Sequence, residues 1–254
     1  MSDPIKPHRG IYLLPNLFTT AALFAGFYAI IAAMSGQFNN AALAILIAMI
    51  LDGLDGRVAR MTNTQSDFGA EYDSLSDMVS FGLAPALVVY EWALVHIPGW
   101  SWANIGWLVA FLYTACGALR LARFNTQVGT ADKRFFQGLA SPAAAAIMAC
   151  MVWVGNDMGY SGEELSTLAL VVTLFSGLLM VSRFPYYSFK DFNAKQKIPF
   201  MTLLAVVLIF VLTSIDPPKV IFLVMLAYAL SGPLWSSYRW YRKRGRDVAE
   251  SSDK

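Results

Sequence analysis

Charge is scarce in this chain: 14% of its 254 residues are Asp, Glu, Lys or Arg, against 57% hydrophobic. Too few polar side chains remain to cover a soluble globule. Histidine is scarcer still. His8 in the N-terminal tail and His96 at the far end of an apolar run have no Ser or Cys partner in a nucleophile motif, which argues against a catalytic histidine. The two cysteines, Cys116 and Cys150, fall inside apolar runs without metal-ligand spacing, so they read as packed thiols rather than a disulfide or zinc site. No Walker-type glycine loop and no GxGxxG is present, which excludes phosphate handling by a helix-opening glycine loop. No soluble domain, internal repeat or low-complexity linker stands out.

Apolar sequence is what the chain has in excess. Runs of about 17 to 25 apolar residues predict spans near 15–34, 38–60, 70–96, 103–124, 140–156, 164–182, 198–214 and 219–237. The expected fold is an all-α integral membrane protein of about eight transmembrane helices, a single membrane domain over 1–254 with both termini on one side. The first run is too long, and lacks a small-residue cleavage site, to be a removable signal peptide.

The distribution of Lys and Arg tests that count. The even-numbered connections and both tails carry Lys6, Arg9, Arg57, Arg60, Arg120, Arg123, Lys133, Arg134, Arg183, Lys190, Lys195, Lys197, Arg239, Arg242, Lys243, Arg244, Arg246 and Lys254, which leaves Lys219 alone on the other face. By the positive-inside rule the basic face is cytoplasmic. It should attract anionic lipid headgroups, so the expected partners are membrane lipids and not nucleic acid. Trp100, Trp102 and Trp107 near one boundary, with Trp235, Tyr238, Trp240 and Tyr241 near the other, read as interfacial belts. Gly82 and Pro85 predict a bend inside the third span.

The chemistry concentrates between Asp52 and Asp77, in DGLDGRVARMTNTQSDFGAEYDSLSD. Asp52 and Asp55 are three residues apart and Asp73 and Asp77 four apart, so on a helix each pair projects from one face. Carboxylates in an apolar segment are costly and usually functional. Two of them about 5 Å apart repel by roughly 3 kcal/mol at an effective dielectric of about 20, so a cation must sit among four. Hard oxygen donors favour Mg²⁺ or Mn²⁺, and a cluster of this size suits two ions sharing a ligand. Arg57 and Arg60 are the local alternative neutralisers. Gly56 and Ala59 share a face with Asp52, and Gly69 lies one turn before Asp73, so the two helices are expected to approach closely.

Asp52, Asp55-Gly56, Ala59-Arg60, Gly69, Asp73 and Asp77 reproduce, with every gap intact, the signature of the CDP-alcohol phosphotransferase family, which the chain therefore resembles. LPNLFT at 14–19, SDMVSFGLAPA at 76–86, ALRLARFN at 118–125 and GLASPAA at 138–144 look like its phosphatidylserine synthase branch. The resemblance covers most of residues 12 to 145. It implies a family-like bundle with a catalytic core about 12–182, additional helices about 198–237 and a basic cytoplasmic tail 238–254. It implies transfer of a phosphatidyl group from CDP-diacylglycerol to L-serine with release of CMP, and a homodimer. The expected location is the cell (inner) membrane of a bacterium or archaeon.

The resemblance also implies residue roles. Asp52, Asp55 and Asp73 would ligate one ion, Asp52, Asp73 and Asp77 the other, and Asp77 would be the general base. Gly56, Ala59, Arg60, Ser66 and Gly69 would border the CDP-diacylglycerol. Asn16 and Thr19 read either as a helix cap after Pro15 or, by the resemblance, as nucleotide-side contacts. Arg120 and Arg123, three apart, could bind the serine carboxylate bidentately, with Asn125 and Ser141 bordering the same pocket. Other acceptors, glycerol 3-phosphate or an inositol phosphate, remain open. A divalent cation transporter is disfavoured because the spans keep their carboxylates at one end, with Asp157, Glu163 and Glu164 in an outer loop.

Overall fold

The computed structural model describes residues 13–98, 105–127, 135–187 and 200–252. Lys6, His8, Arg9, Trp100, Trp102, Lys133, Arg134, Lys190, Lys195, Lys197 and Lys254 lie outside them. The described chain is a helical bundle: α1 (Leu13–Met34), α2 (Phe38–Thr62), α3 (Asp67–Asp77), a π-helical segment (Met78–Leu83), α4 (Ala84–Trp92), α5 (Ile105–Gln127), α6 (Ser141–Asp157), α7 (Ser166–Val181), α8 (Phe200–Ile215) and α9 (Pro217–Ser252). Each apolar run read from the sequence falls on one helix or one stacked set of helices. Among the described residues three helices, Leu13–Met34, Ile105–Thr126 and Pro217–Arg239, are long and apolar enough to cross a bilayer by themselves. α2 has the length, but Asp52, Asp55, Arg57 and Arg60 crowd its last turns.

Small residues bring α1 and α2 together. Ala25, Ala29, Ala32 and Ala33 of α1 and Ala41, Ala42, Ala44 and Ala48 of α2 are all buried in the core, the close backbone packing that stands in for a hydrophobic drive inside lipid. α6 is the most enclosed helix, buried almost continuously from Ala143 to Val152. Large apolar side chains such as Phe24, Phe27, Phe111, Leu178 and Phe210 are exposed, as a lipid-facing surface requires.

Three features depart from the sequence reading. First, the expected bend is a π-helical segment directly after Asp77, with Pro85 opening α4. A wide turn frees carbonyls, and α5 satisfies two of them: Tyr113 donates to Phe81 O at 3.0 Å and Thr114 to Gly82 O at 3.4 Å. Second, a short antiparallel ribbon pairs β1 (Phe135–Gln137) with β2 (Pro185–Tyr187). Gly138 follows β1 at φ +80°, where a Cβ would fall 2.3 Å from Met180 O, so only glycine lets the chain pass α7 into α6. Third, α9 does not stop near 237 but continues as helix to Ser252, through the basic run. Lys219, the cation left on the far face, pairs with Asp216 at 2.6 Å; this hydrogen bond holds the Asp216 carboxyl below its ordinary range. Trp107, Trp235 and Tyr238 are exposed, as interfacial aromatics should be.

Candidate active site

The loop between α2 and α3 is fixed by two caps. Asn63 closes α2 in the left-handed conformation (φ 51°), its N–H reaching back to Ala59 O and Arg60 O. Ser66 then opens α3 with extended backbone, and its hydroxyl accepts the Gly69 N–H at 3.0 Å. Ser66, expected at the nucleotide, is thus a helix cap. These stops set where the acidic turns of α2 and α3 face each other.

There the four aspartates converge. One carboxylate oxygen each from Asp52, Asp55 and Asp73 lie within 4.8 Å of one another, and the Asp77 carboxyl lies within electrostatic reach of all three. Asp55 is 5% exposed. Among the described residues no arginine forms an ion pair with any of the four, although Arg57 and Arg60 lie one or two turns away. Neither arginine neutralises the cluster.

The donor set fits a divalent ion. Asp73 Oδ1 is shut off from solvent and has no hydrogen-bond partner, a costly state that a bound cation would relieve. Octahedral Mg²⁺ at about 2.1 Å spaces its ligand oxygens about 3 to 4.2 Å apart, so a modest inward movement of the side chains would close the three oxygens on an ion.

The glycines act differently from expectation. α3 packs on α1 and its own π-helical continuation rather than broadly on α2. A Cβ at Gly69 would meet Ser66 Oγ at 3.2 Å and Asn16 Oδ1 at 3.5 Å, so Gly69 accommodates α1. A Cβ at Gly56 would meet only the tip of Arg60, at 3.9 Å. The space beside Gly56 and Ala59 is open, with both residues half-buried and Arg60 exposed at its edge.

Asn16 and Thr19 both stand at this site. Thr19 is 3% exposed and its hydroxyl donates to Asp55 Oδ2 at 2.6 Å. Half-buried Asn16 faces Gly69.

Arg120 and Arg123 diverge. Arg120 Nη1 donates to Ser141 Oγ at 2.9 Å, its guanidinium lies within electrostatic reach of Asp77, and its buried Nε has no partner. Arg123 Nη1 instead donates to Val181 O at 2.9 Å, tying α5 to the end of α7. Asn125 exchanges hydrogen bonds with Ser74 on α3. Of the four residues expected around serine, Arg120 lies within electrostatic reach of Asp77 and holds Ser141, Asn125 reaches α3 at Ser74, and Arg123 turns away to α7.

The sequence reading missed Ser76, whose hydroxyl donates to Thr19 O at 3.1 Å, and Tyr228 of α9, which lies within electrostatic reach of Arg120. Neither sits in a spacing pattern that would have marked it.

A helical membrane fold with carboxylates gathered near a half-buried arginine defines a class: membrane-embedded proteins that use acidic side chains on neighbouring helices to handle cations and phosphates. The CDP-alcohol phosphatidyltransferase family model matches residues 12–179, and the chain belongs to that family. It is 40% identical over 208 residues to a CDP-diacylglycerol–serine O-phosphatidyltransferase of Helicobacter pylori, covering 82% of this chain and 84% of that protein. A Mycobacterium tuberculosis protein of the same name is 40% identical over 189 residues, 69% of this chain and 64% of that one. An archaetidylserine synthase of Methanothermobacter thermautotrophicus is 36% identical over 175 residues, 68% of this chain and 69% of that one.

Proposed function

We propose that this protein transfers the phosphatidyl group of CDP-diacylglycerol to L-serine, releasing CMP, with Mg²⁺ or Mn²⁺ held by the aspartate cluster. The observation that carries the reading is the convergence of Asp52, Asp55 and Asp73, with Asp77 within electrostatic reach of both that group and Arg120. The names of its relatives support the same reaction and acceptor.

Asp52, Asp55 and Asp73 would hold one ion, and Asp52, Asp73 and Asp77 a second. When bound, the ions supply charge stabilisation for the attacking and leaving oxygens of an in-line displacement. The open flank at Gly56 and Ala59 admits the diphosphate, and exposed Arg60 offers its planar fork to a phosphate oxygen. Asn16, at the mouth formed by α1 and Gly69, borders the nucleotide. The acyl chains stay in the bilayer.

Arg120 receives the acceptor's carboxylate on its free Nε edge while Ser141 holds its other edge. That places the serine side chain toward Asp77. Asp77 accepts the hydroxyl proton as the serine oxygen forms a bond to the β-phosphorus, the one bearing the lipid, and the bond from that phosphorus to the CMP oxygen breaks. No residue of the cluster needs to carry the phosphatidyl group covalently. With Arg123 engaged on α7 and Arg60 assigned to the diphosphate, Arg120 is the guanidinium left for the acceptor among the described residues. A single positive charge matches a carboxylate better than the dianionic phosphate of glycerol 3-phosphate.

We further read the eight helical runs as spans of one bundle, with termini and site on the cytoplasmic face and the chain paired as a homodimer. The acceptor panel tests the reaction: purified protein with CDP-diacylglycerol and a divalent ion should release CMP with serine. Release with glycerol 3-phosphate and not with serine would overturn the acceptor assignment.

A further inference from the structure

We infer that Thr19 is a positioning residue, and that through it α1 sets the spacing between the two halves of the acidic cluster. This rests on the cation reading above. Asp52 and Asp55 stand on α2, and Asp73 and Asp77 on α3. These two helices do not pack broadly on one another, yet each packs on α1. Something other than direct α2–α3 contact must fix how far apart the carboxylates stand.

Thr19 touches both. Its hydroxyl donates to Asp55 Oδ2 at 2.6 Å, and its backbone carbonyl accepts the hydroxyl of Ser76, the neighbour of Asp77, at 3.1 Å. The next residue repeats the connection, since Thr20 Oγ1 and the Tyr72 hydroxyl, beside Asp73, are 2.9 Å apart. One turn further along, Ser80 donates to Ala22 O at 3.1 Å, and a Cβ at Gly26 would fall 2.7 Å from Ser80 Oγ, so α1 and the π-helical segment are in close contact. α1 is therefore fastened to the acidic face of α3 along its length.

The hydroxyl at position 19 has one proton. Pro15 O lies 3.2 Å away and Asp55 Oδ2 2.6 Å, so the carboxylate takes it. With Oδ2 held by Thr19, the Asp55 carboxylate is oriented beside Asp52 and Asp73, where its oxygens can be offered to a cation. Oriented ligands of this kind depend on the group behind them, and removing such a group typically weakens metal binding by about 10–100-fold. The burial of Thr19 also separates its hydroxyl from solvent, so water does not compete for the bond.

The test is an equilibrium Mn²⁺ titration followed by electron paramagnetic resonance, on the purified full-length protein in detergent and without substrate. Thr19→Val keeps the shape and removes the hydroxyl; Thr19→Ser keeps the hydroxyl and removes the methyl. Thr19→Val should bind Mn²⁺ about 10–100-fold more weakly, while Thr19→Ser binds within about threefold of the unmodified protein. Unchanged affinity in Thr19→Val would overturn the positioning role, as would equal weakening in both variants, which would point to packing instead. Absence of Mn²⁺ binding in the unmodified protein would overturn the cation reading itself, a distinct result.

Discussion

Replacing Arg120 by Ala removes a guanidinium within electrostatic reach of Asp77 and leaves the aspartates in place. In the structure its Nη1 is engaged by Ser141 and its Nε is buried without a partner; in the proposed reaction that Nε edge takes the acceptor carboxylate. A hydrogen bond to a charged group contributes about 1.5–3 kcal/mol, and burial places this one near the upper end. Loss of about 3 kcal/mol corresponds to about 150-fold in kcat/KM for serine. KM for CDP-diacylglycerol should stay within about threefold, because the diphosphate flank at Gly56 is untouched. Arg120→Lys should recover only part of the loss, since an ammonium lacks the planar fork. The assay is CMP release at saturating CDP-diacylglycerol across a serine titration. A fall in kcat/KM below threefold, or equal losses for both substrates, would refute the assignment of Arg120 to the acceptor.

Two further outcomes follow from the cluster. Asp77→Asn removes the proton acceptor while keeping the size of the side chain; turnover should fall by about 10²–10⁴-fold with CDP-diacylglycerol binding retained, and near-normal turnover would remove Asp77 as the base. Protons and divalent ions compete for the same carboxylate oxygens, so at fixed Mn²⁺ the rate should fall as the pH is lowered and recover when Mn²⁺ is raised. A pH profile indifferent to metal concentration would contradict that competition.

The positions of the helices were legible because lipid imposes a length and a composition on any span. The aspartate motif was legible because its residues lie close in sequence and on helices of fixed period. What escaped the sequence reading is what depends on contacts between distant segments. The β1–β2 ribbon pairs two three-residue strands, Phe135 with Tyr187 and Gln137 with Pro185, across two intervening helices. The π-helical segment exists because Tyr113 and Thr114 on another helix accept its extra width. Arg120 and Arg123 share a helix face in the sequence, yet one turns to α6 and the other to α7 because their acceptors lie in different places. Gly69 fits Asn16 of α1, a neighbour 53 positions earlier in the sequence, rather than α2 as its motif suggested. The end of α9 was misplaced for another reason: hydropathy reports where lipid ends, and Arg, Lys, Glu and Ala continue a helix well in water.

In the proposed reaction, carboxylates inside the bundle hold divalent ions around a lipid-bearing diphosphate. Metal depletion tests it most directly: purified protein in detergent, stripped with a chelator, is given CDP-diacylglycerol and serine, and CMP is measured before and after Mn²⁺ is restored. The account predicts no CMP from the stripped protein and full release on restoration. CMP formed at an undiminished rate in the chelator would contradict it.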